Sequence, residues 1–153
     1  MRLDRDWLLA HIPHQGGMCL LDGIEDWDAQ RIHCTASSHR AVDNPLRGHG
    51  QLGAACGIEY AAQAMAAHGG LLAKADSADP GKPRAGYLAS VRAVELHVGR
   101  LDDIETDLTI EAEHLSGDDN TVLYGFSISA GGRVLLNGRA IVVLDAAKLG
   151  RPG

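Results

Sequence analysis

The sequence predicts an α+β fold in which a curved antiparallel sheet wraps around one long central helix. A segment of helical character runs from about Gly53 to Ala73. After the loop-forming stretch Asp76 to Pro83, the apolar period is two almost throughout. A sheet that large must cover its apolar face, and this helix is the only cover available.

Taken in order, the elements justify that reading. Ile32, Cys34 and Ala36 alternate against Arg31, His33 and Thr35, the period of a half-buried strand. Of the 20 residues from Ala54 to Ala73, 8 are Ala and 3 are Gly, so a curved sheet can approach the helix backbone closely. Gly86 to Val98 reads as a long strand whose parity breaks in the middle, as a bulge or burial on both faces would cause. Ile104, Leu108, Ile110 and Ala112 then share one parity, and Val122, Tyr124, Phe126 and Ile128 share another. Ser116 to Asn120 supplies a turn between them, and Gly131-Gly132 suits a two-residue hairpin that needs positive φ. Four consecutive antiparallel strands are therefore expected after the helix, with open edges that favour pairing with a second chain.

Composition limits the function classes. A chain of 153 residues predicts one domain over 1–153, with a short flexible tail from about residue 146. Fourteen Lys and Arg against twenty Asp and Glu leave a net charge of −6, which argues against binding nucleic acid or an anionic membrane. With 45% apolar residues the chain builds a core, although Gly, at 19, far outnumbers Phe, Trp and Tyr, at 1, 2 and 3. Cys19, Cys34 and Cys56 show no C-x-x-C spacing, so a reduced, cytoplasmic setting is expected and no thiolate metal site. The N-terminus lacks the apolar run of a signal peptide. Glu59, Gln63, His68 and Gly69-Gly70 interrupt the least polar stretch, which argues against a transmembrane helix.

Glu59 is the only Asp, Glu, Lys or Arg between Ala54 and Ala73 and lies in the first turns of the helix to be enclosed. Burial would raise its pKa and make it a proton donor, while the helix N-terminus favours the anion. Gln63, at i+4 on the same face, is placed to orient the carboxyl. The bland alternative is a water-exposed glutamate near a helix start. Before the helix, N-P-L-R-G-H-G-Q-L-G (Asn44 to Gly53) carries His49 between two glycines, which let the backbone bring an imidazole against a ligand. Paired with Glu59, His49 gives unlike acid and base groups; alone it reads as a surface histidine.

The other histidines carry less. His11 and His14 flank Pro13 with no helix signal around them, which argues against metal ligation. His33, His97 and His114 fall on strands, His39 in a loop, and His68 beside Gly69-Gly70, where helix capping is the simpler account. No G-x-S-x-G, phosphate-loop or dinucleotide fingerprint occurs, and Cys56 reads as a small packed residue.

Three segments in this order, I-P-H-Q-G-G-M-C-L-L-D (Ile12 to Asp22), N-P-L-R-G-H-G (Asn44 to Gly50) and G-I-E-Y-A-A-Q-A-M-A-A-H-G-G-L-L-A (Gly57 to Ala73), carry a family likeness. They resemble the hot-dog-fold 3-hydroxyacyl-acyl-carrier-protein dehydratases, closest to the branch associated with aryl polyene biosynthesis. The resemblance implies a hydro-lyase that eliminates water from a 3-hydroxyacyl thioester to give the 2-enoyl thioester. It places the catalytic carboxylate on Glu59 and the catalytic histidine on His49, contributed to one site by different subunits. His49 would remove the α-proton, protonated Glu59 would donate to the departing hydroxyl, and backbone N–H groups at Cys56 and Gly57 would hold the enolate-like oxygen.

It further implies no metal or redox cofactor, an acyl chain carried on the phosphopantetheine of a carrier protein or on CoA, and a homodimer, a higher oligomer or a heterodimer with a homologous dehydratase. Carrier proteins are acidic, so docking would call on Lys82, Arg84, Arg92 and Arg100; scattered solvated charges are the competing account. Two alternatives to the dehydratase stay open: an acyl thioesterase of the same fold, using Glu59 to activate water, and a non-catalytic acyl-binding partner subunit.

Overall fold

The computed structural model describes residues 2–75, 87–118 and 120–143. Strand β1 (Leu3–Asp4) leads directly into helix α1 (Arg5–His11). Asp4 is the helix cap, its Oδ1 accepting the Trp7 N–H at 3.1 Å, and Leu8 is buried beneath. His11 therefore closes a helix, contrary to the expectation that none surrounds it.

Strands β2 (Gly23–Trp27) and β3 (Arg31–Ala36) form a hairpin. Its turn is held by Asp28, whose Oδ1 accepts the N–H groups of Gln30 and Arg31 at 2.8 Å each. On β3, Ile32, Cys34 and Ala36 are buried, the alternation expected.

A 3₁₀ turn at Ala54–Cys56 runs into α2 (Gly57–Ala75), somewhat later at both ends than the expected helix. Tyr60, Ala61, Gln63, Ala64, Met65, Ala67, His68 and Leu71 are all buried, so α2 is enclosed around most of its circumference rather than along one stripe. It packs on β3, β5 and β6. Of the glycines on α2, Gly57 comes closest to the sheet: an added Cβ would lie 2.7 Å from a Leu136 methyl and 3.0 Å from Ile128 Cδ1. The small residues read from the sequence permit this wrap.

The remaining strands are β4 (Tyr87–Leu96), β5 (Leu108–Gly117), β6 (Thr121–Ala130) and β7 (Arg133–Val143). All neighbours pair antiparallel in the order β1-β2-β3-β5-β6-β7-β4, giving a seven-stranded sheet. Strands β5, β6 and β7 follow one another as hairpins, whereas β4 crosses over to pair with β7. The muddled parity of β4 is two register irregularities, between Leu88 and Ser90 and between Arg92 and Glu95, with Ala93 at φ 51°. Gly131 and Gly132 turn the β6–β7 hairpin at φ 58° and 78°. Ile104 lies ahead of β5 in a turn, outside the strand its parity suggested. The expected tail from about residue 146 lies outside the described residues.

Candidate active site

Glu59 sits in the first turn of α2 with its side chain 34% exposed. The imidazole of His14, 25% exposed, places its Nε2 3.2 Å from Glu59 Oε1. His14 comes from the loop between α1 and the 3₁₀ turn Gly16–Met18. That loop is pinned to the helix by Gln63, which is fully buried. Its Nε2 donates to the Met18 carbonyl at 2.8 Å and, more weakly, to Glu59 Oε1 at 3.4 Å, while its Oε1 accepts the Leu20 N–H at 2.8 Å. Arg5 braces the same loop from α1, donating to the Gly16 carbonyl at 3.0 Å. Gln63 thus binds both the carboxyl and the peptide chain that carries His14.

These contacts settle the charge on Glu59. The His14 hydrogen bond, with help from Gln63, lowers its pKa below the ordinary 4.5, outweighing the half-burial that would raise it. The carboxyl is an anion at neutral pH, opposite to the shift expected from burial alone. A carboxylate only accepts, so His14 Nε2 carries the shared proton. The other ring nitrogen, Nδ1, is buried without a hydrogen-bond partner among the described residues.

His49 lies elsewhere. It and Gly50, at φ 53° and 75°, are the two corners of a tight turn closed by Gly48 and Gln51, whose N–H and C=O groups exchange bonds of 2.9 and 3.0 Å. The glycines serve that turn, and the imidazole is exposed. Among the described residues, Glu59 contacts His14 and Gln63, and His49 is not among its partners within the chain. Arg47 holds the turn from behind, donating to Ala41 O at 2.8 Å and Gly50 O at 3.1 Å.

The helix start also differs from expectation. The Cys56 N–H donates to Gly53 O at 3.0 Å, and the Gly57 N–H donates to Ala54 O and Ala55 O. The 3₁₀ turn uses both groups, which removes them as free donors to a substrate oxygen. Of the basic residues, Arg92 is exposed on β4, and Lys82 and Arg84 lie outside the described residues. Arg100 is committed to Asp102, its Nε 3.0 Å from Oδ1 and its Nη2 on Oδ2. His68 is no capping residue: fully buried, it pairs through Nδ1 with the Tyr124 hydroxyl at 2.7 Å and through Nε2 with the Asp28 carbonyl at 2.8 Å.

His14 is the site residue that spacing arguments missed. It was visible as a member of the first of the three motif segments, but its partner is brought to it only by the packing of α1 and its loop on α2.

The ApeP-like dehydratase family (ApeP dehydratase) matches residues 8–149. The chain belongs to this family. It is a hot-dog 3-hydroxyacyl dehydratase of the aryl polyene branch, a hydro-lyase. Among solved structures, it resembles the dehydratase heterocomplex ApeI:P from Xenorhabdus doucetiae, with TM-score 0.80, 24% identity and 94% of this chain and 97% of that one covered. A mutant of the thioesterase PA1618 from Pseudomonas aeruginosa aligns at TM-score 0.62 and 15% identity over 92% of each chain. Zebra fish thioesterase superfamily member 2 aligns at TM-score 0.61 and 12% identity over 92% and 95%. At these identities the structural likenesses establish a shared hot-dog fold, and the thioesterases match the dehydratase as a fold only. No curated protein sequence gives a significant match.

All three cysteines of the dehydratase are free. Among the described residues no helix is long and apolar enough to cross a membrane, and no cluster of three His, Cys, Asp or Glu side chains is arranged to hold a metal ion.

Proposed function

We propose that Glu59 and His14 form the acid/base pair that eliminates water from a 3-hydroxyacyl chain carried as a thioester on a phosphopantetheine arm, of an acyl carrier protein or of CoA. The observation that carries this reading is the 3.2 Å contact between His14 Nε2 and Glu59 Oε1, beside an anionic carboxyl. The Glu59 carboxylate takes the proton from the carbon next to the thioester carbonyl. The electron pair forms the carbon–carbon double bond, and the hydroxyl leaves as water with the Nε2 proton of His14, a step that uses the ring as imidazolium so that a neutral imidazole remains. Transfer of the captured proton from Glu59 back to His14 restores both groups. Gln63 keeps the carboxyl turned toward the ring. The elimination is proton transfer throughout and calls on no redox partner.

The exposed turn bearing His49 supports a second reading, in which His49 reaches the site of a neighbouring subunit and removes the α-proton there. Strand β4 is an open edge with Leu88, Val91 and Leu96 at 39%, 36% and 50% exposure, a surface suited to strand pairing with another hot-dog chain. The solved ApeI:P heterocomplex makes a homologous dehydratase as reasonable a partner as a second copy. Three free cysteines fit a cytoplasmic setting. Lys82, Arg84 and Arg92 are the residues proposed to dock an acidic carrier.

The test is to incubate the protein, alone and with a homologous dehydratase, with a 3-hydroxyacyl carrier-protein thioester and to follow acyl mass. Loss of one water with the thioester intact supports dehydration, and release of free acid would instead mark a thioesterase. His14→Ala abolishing turnover while His49→Ala retains it selects the His14 reading. The opposite pattern selects His49 acting between subunits.

A further inference from the structure

Beside the acid/base pair lies a chain of hydroxyls, that of Tyr60 buried and that of Ser38 partly so, whose direction the structure fixes. Asn44, 6% exposed, accepts the Leu46 N–H on Oδ1 at 2.8 Å, so its Nδ2 is the donor to Ser38 O at 2.8 Å and to the Tyr60 hydroxyl at 3.1 Å. Tyr60, fully buried, accepts that bond and gives its own proton to Ser38 Oγ at 2.8 Å. Ser38 in turn donates to the Leu20 carbonyl at 2.7 Å, which can only accept. Every donor and acceptor in this relay points one way, the arrangement in which hydrogen bonds reinforce one another. Burial pushes the Tyr60 phenol up, so it remains a donor.

The relay ends on the residue that Gln63 grips from the other side. The Leu20 N–H is held by Gln63 and the Leu20 carbonyl by Ser38 and, behind it, Tyr60. Residues 59, 60 and 63 of one helix therefore act on a single loop: Glu59 on His14, Tyr60 and Gln63 on the segment that follows it. Asn44 also begins the loop that leads to His49, so the relay joins both histidine-bearing loops to α2.

We propose that Tyr60 is a positioning residue of the dehydratase, its hydroxyl setting, through Ser38 and Leu20, the loop that holds His14 against Glu59. The role rests on the reading of Glu59 and His14 as the acid/base pair. Among the described residues, His14 is the titratable group that acts on Glu59, so loosening the loop changes the carboxyl's surroundings at that one contact.

Tyr60→Phe removes the hydroxyl and keeps the ring. The expected result is a kcat lower by about tenfold or more with KM nearly unchanged, as for a reacting group displaced by a fraction of an ångström. The acid limb of the pH–rate profile moves to higher pH. A carbon NMR titration of the Glu59 carboxyl shows the same upward move without reference to turnover. Ser38→Ala breaks the relay at its other end and should reproduce the effect, which covers the case of a Tyr60 variant that does not fold. Tyr124→Phe deletes an equally buried hydroxyl away from the site and should leave the Glu59 titration as in the wild type. An unchanged Glu59 titration in Tyr60→Phe or Ser38→Ala would overturn the proposal. Absence of dehydration by the wild type would instead overturn the functional reading, and the Glu59 titration would still decide the role of Tyr60.

Discussion

His14 Nε2 and Glu59 Oε1 lie 3.2 Å apart, one on the loop after α1 and the other in the first turn of α2. Glu59→Gln keeps the size and the hydrogen-bonding capacity of the side chain but cannot take up a proton. Its kcat/KM for a 3-hydroxyacyl thioester should fall by about 10²–10⁴-fold, the usual worth of a positioned acid/base group. Steady-state kinetics beside a thermal melt check this. A loss of activity far larger than the small drop in melting temperature explains is expected, and near-normal turnover would exclude Glu59 from the chemistry.

The same contact predicts a pH dependence of stability. The Glu59 pKa is lower in the folded chain than the 4.5 of an unperturbed glutamate, first because of the His14 hydrogen bond. The folded state therefore binds its proton less readily than the unfolded state does. The stabilisation is complete above about pH 4.5 and is lost as pH falls through the lower, folded value. Urea midpoints of wild type and Glu59→Gln, compared from pH 7 down to pH 3, isolate this contribution from those of other acids. The gap between the two should narrow only in the acid range, and a gap constant with pH would contradict the lowered pKa.

How much of this was legible in the sequence varies by residue. The wrapped helix was, because eight alanines and three glycines between Ala54 and Ala73 leave few other ways to pack, and β3, β5 and β6 followed from strict alternation. Helix α1 was not, although Asp4 and Leu8 stand where a cap and a core residue belong, because seven residues are too few for periodicity to register. Glu59 and Gln63 could be paired from their spacing along one helix face. His14 could not, since its tie to Glu59 depends on tertiary packing. His49 drew attention through its flanking glycines; of these, Gly50 shares with His49 the positive φ of a tight turn that Gly48 and Gln51 close. The lowered pKa of Glu59 was hidden for the same reason as His14: the group that causes it lies far away in the chain.

Gly57→Ala tests the close approach of helix and sheet. The backbone there is ordinary right-handed helix, φ −59° and ψ −24°, so alanine meets no dihedral strain and gains up to about 1 kcal/mol of helix propensity. Against that, the new methyl would sit 2.7 and 2.9 Å from the Leu136 methyls and 3.0 Å from Ile128, both fully buried and unable to turn aside freely. Overpacking of this kind costs about 1–3 kcal/mol, so the net effect is destabilising. Urea unfolding should show a lower midpoint, and because Glu59 is two residues away, kcat should fall as well. A more stable variant would mean that the helix start has room to shift.

Tyr124→Phe probes the buried pair at the middle of α2. His68 and Tyr124 are 0% and 3% exposed, and the Tyr124 hydroxyl lies 2.7 Å from His68 Nδ1. Removing it leaves a buried ring nitrogen without its partner, which costs about 1–3 kcal/mol. Burial also lowers the His68 pKa below 6.5. The neutral ring is thus the form the fold favours, and stability falls as pH drops below 6.5 toward the folded value. In the variant, an unfolding midpoint lower than wild type at pH 8 is expected, with kcat and KM preserved because neither residue touches the His14–Glu59 pair. Loss of activity at full folding would show instead that this end of the helix communicates with the site.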